Sequence, residues 1–311
     1  MTENTQTLPN WKDSLTKIEF VSTPCPVCKQ EVGTLKYVRL IKGYTMKYYI
    51  CSNCNALYAN PRITVESLRS LYASSSYFQG GDDDSFDYSD FIGSERYLRL
   101  TARDRISRIQ KYCQTGKMIE VASAAGFFLI EAKNAGYDVS GVEFSAPMAE
   151  YASKRWSVKV IPESIELVDL PTGEYDAIAS WGVSIIIQDP IAMIQKFHRA
   201  LKPGGIWAFN TYYHDGLWAR LLGKHWYILI LNFSQIYSKK SIIDIVERQG
   251  FKLLSRRREM PYTDVSKVIN TFAIHTLRMP WIFRLSKKIG IDKIIIKIPL
   301  PDVFEYIFQK H

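Results

Sequence analysis

From residue 117 onward, short apolar runs alternate with amphipathic ones. KMIEVAS, YDVSGVEF, VKVIP, YDAIASW and GIWAFNTYY are compact apolar runs that predict strands. FLIEAKNAG, PMAEYASKR and PIAMIQKFHRAL carry apolar residues at helical spacing and predict helices. LKPGG reads as a helix stop followed by a turn, and SIIDIVERQG and FKLLSRRREM add a further helix and strand. The segment 261–300 reads as helical and basic, and DVFEYIFQK as a closing strand. Strand and helix in alternation, with short connections, predict an α/β fold: a parallel sheet with helices on both faces.

Upstream the pattern changes. KYVRLIKGYTMKYYI alternates like a hairpin. TVESLRSLYASSSYF predicts a short helix with Thr64 as N-cap and Leu68, Leu71 and Tyr72 on one face. GGDDDSFDYSD is a polar acidic loop, and YLRLTARDRISRIQKY a basic amphipathic helix with Leu98, Ile106 and Ile109 inward. Three regions result: a cysteine-bearing module at 1–62, a helical connector at 63–116, and an α/β domain at 117–311 with a basic insertion near 261–300. No internal repeat is visible.

Of the 311 residues, 47% are apolar, enough for a substantial core, and the net charge is +9. That charge admits anionic partners without selecting one. No apolar run of bilayer length occurs, and the N-terminal MTENTQTLPNWKDSLTK is unlike a secretory signal. Four of the five cysteines fall in two close pairs, which suits metal ligation in a reducing compartment, with cytoplasm the default.

Those pairs are Cys25-Pro-Val-Cys28 and Cys51-Ser-Asn-Cys54, with 22 residues between them. Two residues between thiolates let a tight turn present both sulfurs to one tetrahedral ion, so the quartet predicts a zinc ribbon. Four thiolates close the coordination sphere and leave no site for water, so the zinc is expected to be structural. Cys113 has no partner in this pattern.

The stretch MIEVASAAGFFLIEAKNAGYDVSGVEFS reads as strand, tight turn, helix, strand. A first strand-to-helix turn lies where ligands bind in α/β sheets, with unpaired helix N–H groups facing them. Glu143 follows Gly126 by 17 residues, where a carboxylate can accept the hydroxyls of a ribose.

On these segments the chain resembles a class I S-adenosylmethionine-dependent methyltransferase of the bacterial subgroup with an N-terminal zinc ribbon. CPVC and CSNC, NPRITVESLRSLYASSSYF, the turn region, DPIAMIQKFHRALKPGG, WARLLGKHW and GFKLLSRRR carry the resemblance. It implies a Rossmann-like seven-stranded sheet whose last strand, DVFEYIFQK, inserts antiparallel. It also implies methyl transfer from S-adenosylmethionine to a small-molecule or glycan-precursor acceptor. On that mapping Glu120 lies near the methionine amino group, and Ala122, Ser123, Ala124 and Gly126 form the turn. Glu143 would hold the ribose, Phe144 would pack on the adenine, Ser164 lies near the capping loop, and Trp181 stands beside the transferred methyl.

Two departures stand out. The acid-x-Gly-x-Gly-x-Gly pattern has become Glu120-x-Ala122-x-Ala124-x-Gly126. If those positions need φ > 0, alanine costs about 1 kcal/mol; if they need close approach, each methyl takes ligand space. The Glu-His and Pro-Glu-His segments of the family read Ile185-Ile186 and Leu231-Asn232-Phe233 here, so both usual histidines are gone. His214, in NTYYHDG at the carboxyl edge of the sheet, is the candidate base, with a surface-loop histidine as the alternative. Alignment alone can also carry methyl transfer to a reactive nucleophile.

The rival to an enzyme is a non-catalytic methyltransferase-like scaffold. Nucleic-acid binding lacks an aromatic-basic module beyond the ribbon. The basic tail allows a peripheral contact with an anionic surface, against a simple solvated face.

Overall fold

The computed structural model describes residues 18–31, 33–78, 90–265 and 294–311. The N-terminal region contains β1 (Phe20–Val21), β2 (Gly33–Ile41), β3 (Tyr44–Cys51), β4 (Leu57–Ala59) and β5 (Arg62–Ile63), then α1 (Val65–Tyr72), α2 (Ser75–Phe78) and α3 (Glu95–Ile109). Next come β6 (Gly116–Val121), α4 (Phe127–Asn134), β7 (Tyr137–Val142), α5 (Ala146–Trp156), β8 (Lys159–Ile161), β9 (Tyr175–Ser180), α6 (Pro190–Ala200) and β10 (Leu201–Tyr212). The remainder is α7 (Leu217–Leu222), a 3-10 turn at Gly223–His225, β11 (Gln235–Ile236), α8 (Lys239–Glu247), β12 (Phe251–Arg258), β13 (Tyr262–Asp264), β14 (Ile295–Lys297) and β15 (Val303–Lys310).

Seven strands form the main sheet in the order β12-β15-β10-β9-β6-β7-β8. β6 to β10 pair in parallel, and β15 runs antiparallel between β10 and β12. Period-two alternation explains both covered faces. Met118, Ala177, Ala179, Ile206 and Ala208 pack on Ala102 and Ile106 of α3 and on Phe128 and Ala132 of α4. Their neighbours Ile119, Ile178, Trp207 and Phe209 pack on Ile194 and Phe197 of α6 and Val246 of α8. LKPGG turns within β10: the pairing shifts between Leu201 and Ile206, and Gly204 takes φ +75.

The hairpin joins β2 to β3 through Lys42 and Gly43, whose φ values of 49 and 80 are those of a two-residue turn matched to strand twist. β4 pairs with β3, and its other edge pairs with β11, so the ribbon sheet incorporates residues that follow β10. Thr64 caps α1 through its Oγ1, which accepts the Ser67 N–H at 3.2 Å, and Leu68, Leu71 and Tyr72 are buried as the pattern required. In α3, Ile106 and Ile109 are buried, while Leu98 is half-buried against the cluster around Phe78.

The 261–300 segment differs from its helical reading at both ends. Tyr262–Asp264 and Ile295–Lys297 pair antiparallel as β13 and β14. Ile294 to Ile298 are β-branched apart from Lys297, which favours strand over helix. The middle of the segment, and most of the acidic loop at 80–90, lie outside the described residues.

Candidate functional site

The four ribbon cysteines converge. Cys25 and Cys54 sulfurs are 3.6 Å apart, Cys28 and Cys51 sulfurs 3.4 Å, and all four lie within 4.8 Å of one another. Metal–sulfur bonds of about 2.3 Å in a tetrahedron place sulfurs about 3.8 Å apart, so the set fits one zinc ion. The two knuckles repeat one backbone design. Lys29 N–H donates to Cys25 O at 2.8 Å and Asn55 N–H to Cys51 O at 3.0 Å. Cys25 N–H donates to Gln30 O and Cys51 N–H to Ala56 O, and Lys29 and Asn55 both take left-handed φ, 60 and 55. A hydrogen bond with the Cys54 thiol pushes Cys25 down to about 5 against burial, while Cys54 is pushed up. Without a cation the cluster therefore favours few thiolates; a divalent ion would stabilise four.

At the other centre, the turn after β6 runs through the left-handed region three times. Ala122 has φ +59, Ala124 φ +44 and Gly126 φ +74. Both alanines thus keep the conformation that glycine adopts freely. Bonds to the next strand hold them there: Ala122 and Ser123 N–H groups donate to Val142 O at 2.8 and 3.2 Å. Glu143, buried at the end of β7, accepts Ala124 N–H on Oε2 and Ser145 N–H on Oε1, both at 2.7 Å. Burial pushes Glu143 up to about 7 despite these bonds. Glu120 is also buried and pushed well up by desolvation, with Arg105 opposing.

These strand ends open into a cleft of about 890 Å³, solvent at its mouth included, which is within the ordinary range for small-molecule sites. Ala122, Ala124, Glu143, Phe144, Ser164 and Trp181 line it, facing a wall from α1 and α2. Glu120, Ser123 and Gly126 lie on the strand and turn behind that lining. Buried Glu120 Oε2, Ser123 Oγ, Ser145 Oγ and Trp181 Nε1 have no hydrogen-bond partner among the described residues. Among the described residues the charged groups of the lining are Glu143, Glu163 and Glu166, with no Lys, Arg or His.

Phe144 carries the Arg69 guanidinium 4.7 Å from its ring centre, and Arg69 bonds Glu163 Oε1 at 2.6 Å. Ser164 N–H donates to that same oxygen at 2.7 Å. Trp181 lies under Arg105, 4.1 Å from its ring centre. Gly182 N–H donates to Asn210 Oδ1 at 2.6 Å, and Asn210 Nδ2 donates to Glu259 Oε2 at 2.6 Å. Arg105 bonds Glu259 and, at 3.3 Å, Glu305.

His214 lies elsewhere. It is 5% exposed, absent from the cleft lining, and its Nε2 is 2.7 Å from Asn55 O in the second knuckle. Burial pushes its pKa down. The edge of the sheet was read correctly, but packing against the ribbon turns the ring to the knuckle. The sequence reading missed another polar group: Asn232 Nδ2 donates to Tyr72 OH at 2.9 Å and approaches Tyr77 OH at 3.5 Å, and both tyrosines line the cleft. The signal was Asn232 itself, the polar residue in Leu231-Asn232-Phe233, where the resemblance placed Pro-Glu-His.

The parallel sheet with one inserted antiparallel strand, and a left-handed turn leading from its first strand into a helix, define a Rossmann-like methyltransferase fold of class I. The chain belongs to the methyltransferase-domain family, which matches residues 94–256, just over half of its length. No curated protein matches it in sequence. Solved structures similar to it include a SAM-dependent methyltransferase from Thermotoga maritima, 18% identical with TM-score 0.45, covering 70% of this chain and 90% of that one. A second, from Mesorhizobium loti, is 14% identical with TM-score 0.48 and coverage of 68% and 98%. A third, from Methanosarcina mazei, is 13% identical with TM-score 0.46 and coverage of 65% and 96%. Among the described residues no helix is long and apolar enough to cross a membrane.

Proposed function

We propose that the chain transfers a methyl group from S-adenosylmethionine to a small-molecule or glycan-precursor acceptor in the cleft, within a reducing, cytoplasmic compartment. The observation that carries this reading is the turn: φ is positive at Ala122, Ala124 and Gly126. The chain tolerates two strained alanines, at about 1 kcal/mol or more each, rather than relaxing the turn. The unpartnered buried atoms at Glu120, Ser123, Ser145 and Trp181 are the kind of polar supply a bound cofactor uses.

When bound, S-adenosylmethionine supplies a methyl group on a sulfonium centre. Glu120 would face its ammonium and Glu143 its ribose hydroxyls, while Phe144 and Ser164 would border the adenine. Trp181 would stand at the methyl-donor end. Tyr72, Tyr77 and Asn232 would orient an acceptor by hydrogen bonding. The cleft's carboxylates, and the lack of cationic side chains in its lining among the described residues, favour a neutral or cationic acceptor group over a phosphate inside the cleft. Alignment and exclusion of water are what this lining would contribute, since no imidazole among the described residues reaches it. In this reading the connector at 63–116 forms the cleft's outer wall through α1 and α2, and the ribbon at 1–62, holding structural zinc, packs behind α1.

One observation favours the rival, non-catalytic reading: among the described residues no histidine or lysine lines the cleft. Calorimetric titration of zinc-loaded protein with S-adenosylmethionine and with its demethylated product separates the two. Micromolar binding, lost in Glu143→Ala, supports the enzyme reading. No heat up to millimolar cofactor, with the protein folded, supports a scaffold.

A further inference from the structure

After β10 the chain leaves the sheet and exposes an unusual face. On α7, Leu217 is 65% exposed, Trp218 45% and Leu221 69%, and the nearby Tyr227 is 46% exposed. The helix cannot simply rotate to hide them. Ala219 is buried beneath it and donates its N–H to Asp302 Oδ2 at 2.7 Å. Arg39 Nη1 donates to Trp226 O and Leu229 O at 2.9 and 3.0 Å, fixing the strap that follows.

The charge along this stretch of chain has one sign. Residues 216–243 contain Arg220, Lys224, Lys239 and Lys240 and no aspartate or glutamate. All four cations are exposed, and Lys36 of β2 lies close enough for Arg220 to lower its pKa further, behind the larger effect of burial. Two acids beside this face accept from backbone amides: Asp302 from Ala219, and Asp215, which also acts on Lys36, from Lys239 N–H at 3.1 Å.

We propose that this α7 face, Leu217, Trp218 and Leu221 with Tyr227, Arg220 and Lys224, docks the protein on an anionic lipid surface. Aliphatic and indole side chains surrounded by cations suit the boundary of acyl chains and anionic headgroups. Cations alone would suit nucleic acid equally, but exposed leucines find no partner on a phosphate backbone. The two-turn helix gives a shallow, reversible contact. The proposal uses no residue of the basic stretch at 261–300 and is independent of the methyl-transfer reading.

The test is co-sedimentation of the full zinc-loaded chain with vesicles of phosphatidylcholine, with and without phosphatidylglycerol. Three variants are compared: Trp218→Ser with Leu221→Ser; Arg220→Glu with Lys224→Glu; and, as a control, Lys111→Glu with Lys159→Glu, exposed lysines that precede β6 and begin β8. Wild type should bind only the anionic vesicles. Each of the first two variants should lose about tenfold in affinity and the third should stay near wild type. Matching circular dichroism and melting curves show that the variants are folded. Absence of wild-type binding, or equal loss in the Lys111→Glu with Lys159→Glu control, overturns the proposal. So does a dimer in sedimentation velocity that Trp218→Ser with Leu221→Ser abolishes, which would assign the face to a second copy. Tighter binding to an oligonucleotide than to anionic vesicles overturns it as well.

Discussion

The Glu143 carboxylate receives the Ala124 amide at 2.7 Å, so the strand-end acid and the strained turn are one hydrogen-bonded unit. Neither residue is free to move without the other. The unit holds a left-handed alanine in place and gives a buried carboxylate a donor it needs.

The strain at the turn is measurable by reversal. Ala122→Gly and Ala124→Gly should each raise unfolding free energy by about 0.5–1 kcal/mol, the left-handed penalty less glycine's greater chain entropy. Gly126→Ala should do the opposite. Its Cβ would meet Trp156 Cδ1 at 2.9 Å and Ala152 Cβ at 3.0 Å, and its φ is already +74. A loss of about 2 kcal/mol is expected. Urea denaturation of the three variants checks both signs.

Glu143 makes stability depend on pH in an unusual direction. Burial raises its folded pKa to about 7. The folded form therefore keeps a proton that the unfolded chain has released. Its contribution is fully present below the ordinary glutamate range and is lost as pH rises through about 7, an effect of about 3 kcal/mol. Neutral-buried His214 acts oppositely in the same window, since its pKa is lowered. The readout is consequently a difference: the stability of wild type relative to Glu143→Gln should fall between pH 5 and pH 8, measured by chemical denaturation.

His214 is expected to support the metal knuckle rather than the chemistry. His214→Phe keeps a ring of similar shape and leaves the Asn55 carbonyl without its 2.7 Å partner. Zinc transfer to a colorimetric chelator should become about tenfold faster, with S-adenosylmethionine affinity unchanged. Unchanged zinc release together with lost turnover would return His214 to the role of base.

Arg105 pairs with two buried carboxylates, Glu259 and Glu305, which are 4% and 3% exposed at the side chain. Arg105→Met leaves buried Glu259 with only the Asn210 amide, while Glu305 keeps Arg108 and Arg257, and should cost about 3 kcal/mol. Arg105→Lys should recover part of that. Thermal unfolding followed by circular dichroism gives the comparison.

The elements that could be read from sequence were those set by local periodicity. Met118 and Ile119 point to opposite sides of β6 because a strand has period two, and the apolar run predicts as much. The knuckles were equally local, since two residues between cysteines define the turn. What could not be read depends on pairs far apart in the chain. Asn232 meets Tyr72, and Glu259 meets Arg105 and Asn210, only after the sheet has formed. His214 shows the boundary: its place at the sheet edge followed from pattern, but the direction of its ring followed from packing against Asn55.

Synthesis order adds a last consequence. β4 of the ribbon borrows β11 as its neighbour, pairing Tyr58 with Gln235, and β15 fills the place between β10 and β12. A ribosome makes both partners long after the strands they cover. The nascent chain therefore carries open strand edges on two sheets while the α/β region emerges, the condition under which edges recruit wrong partners. Early zinc capture by the two knuckles would shorten that exposure at the ribbon, whereas β10 and β12 stay uncovered until residues 303–310 leave the exit tunnel.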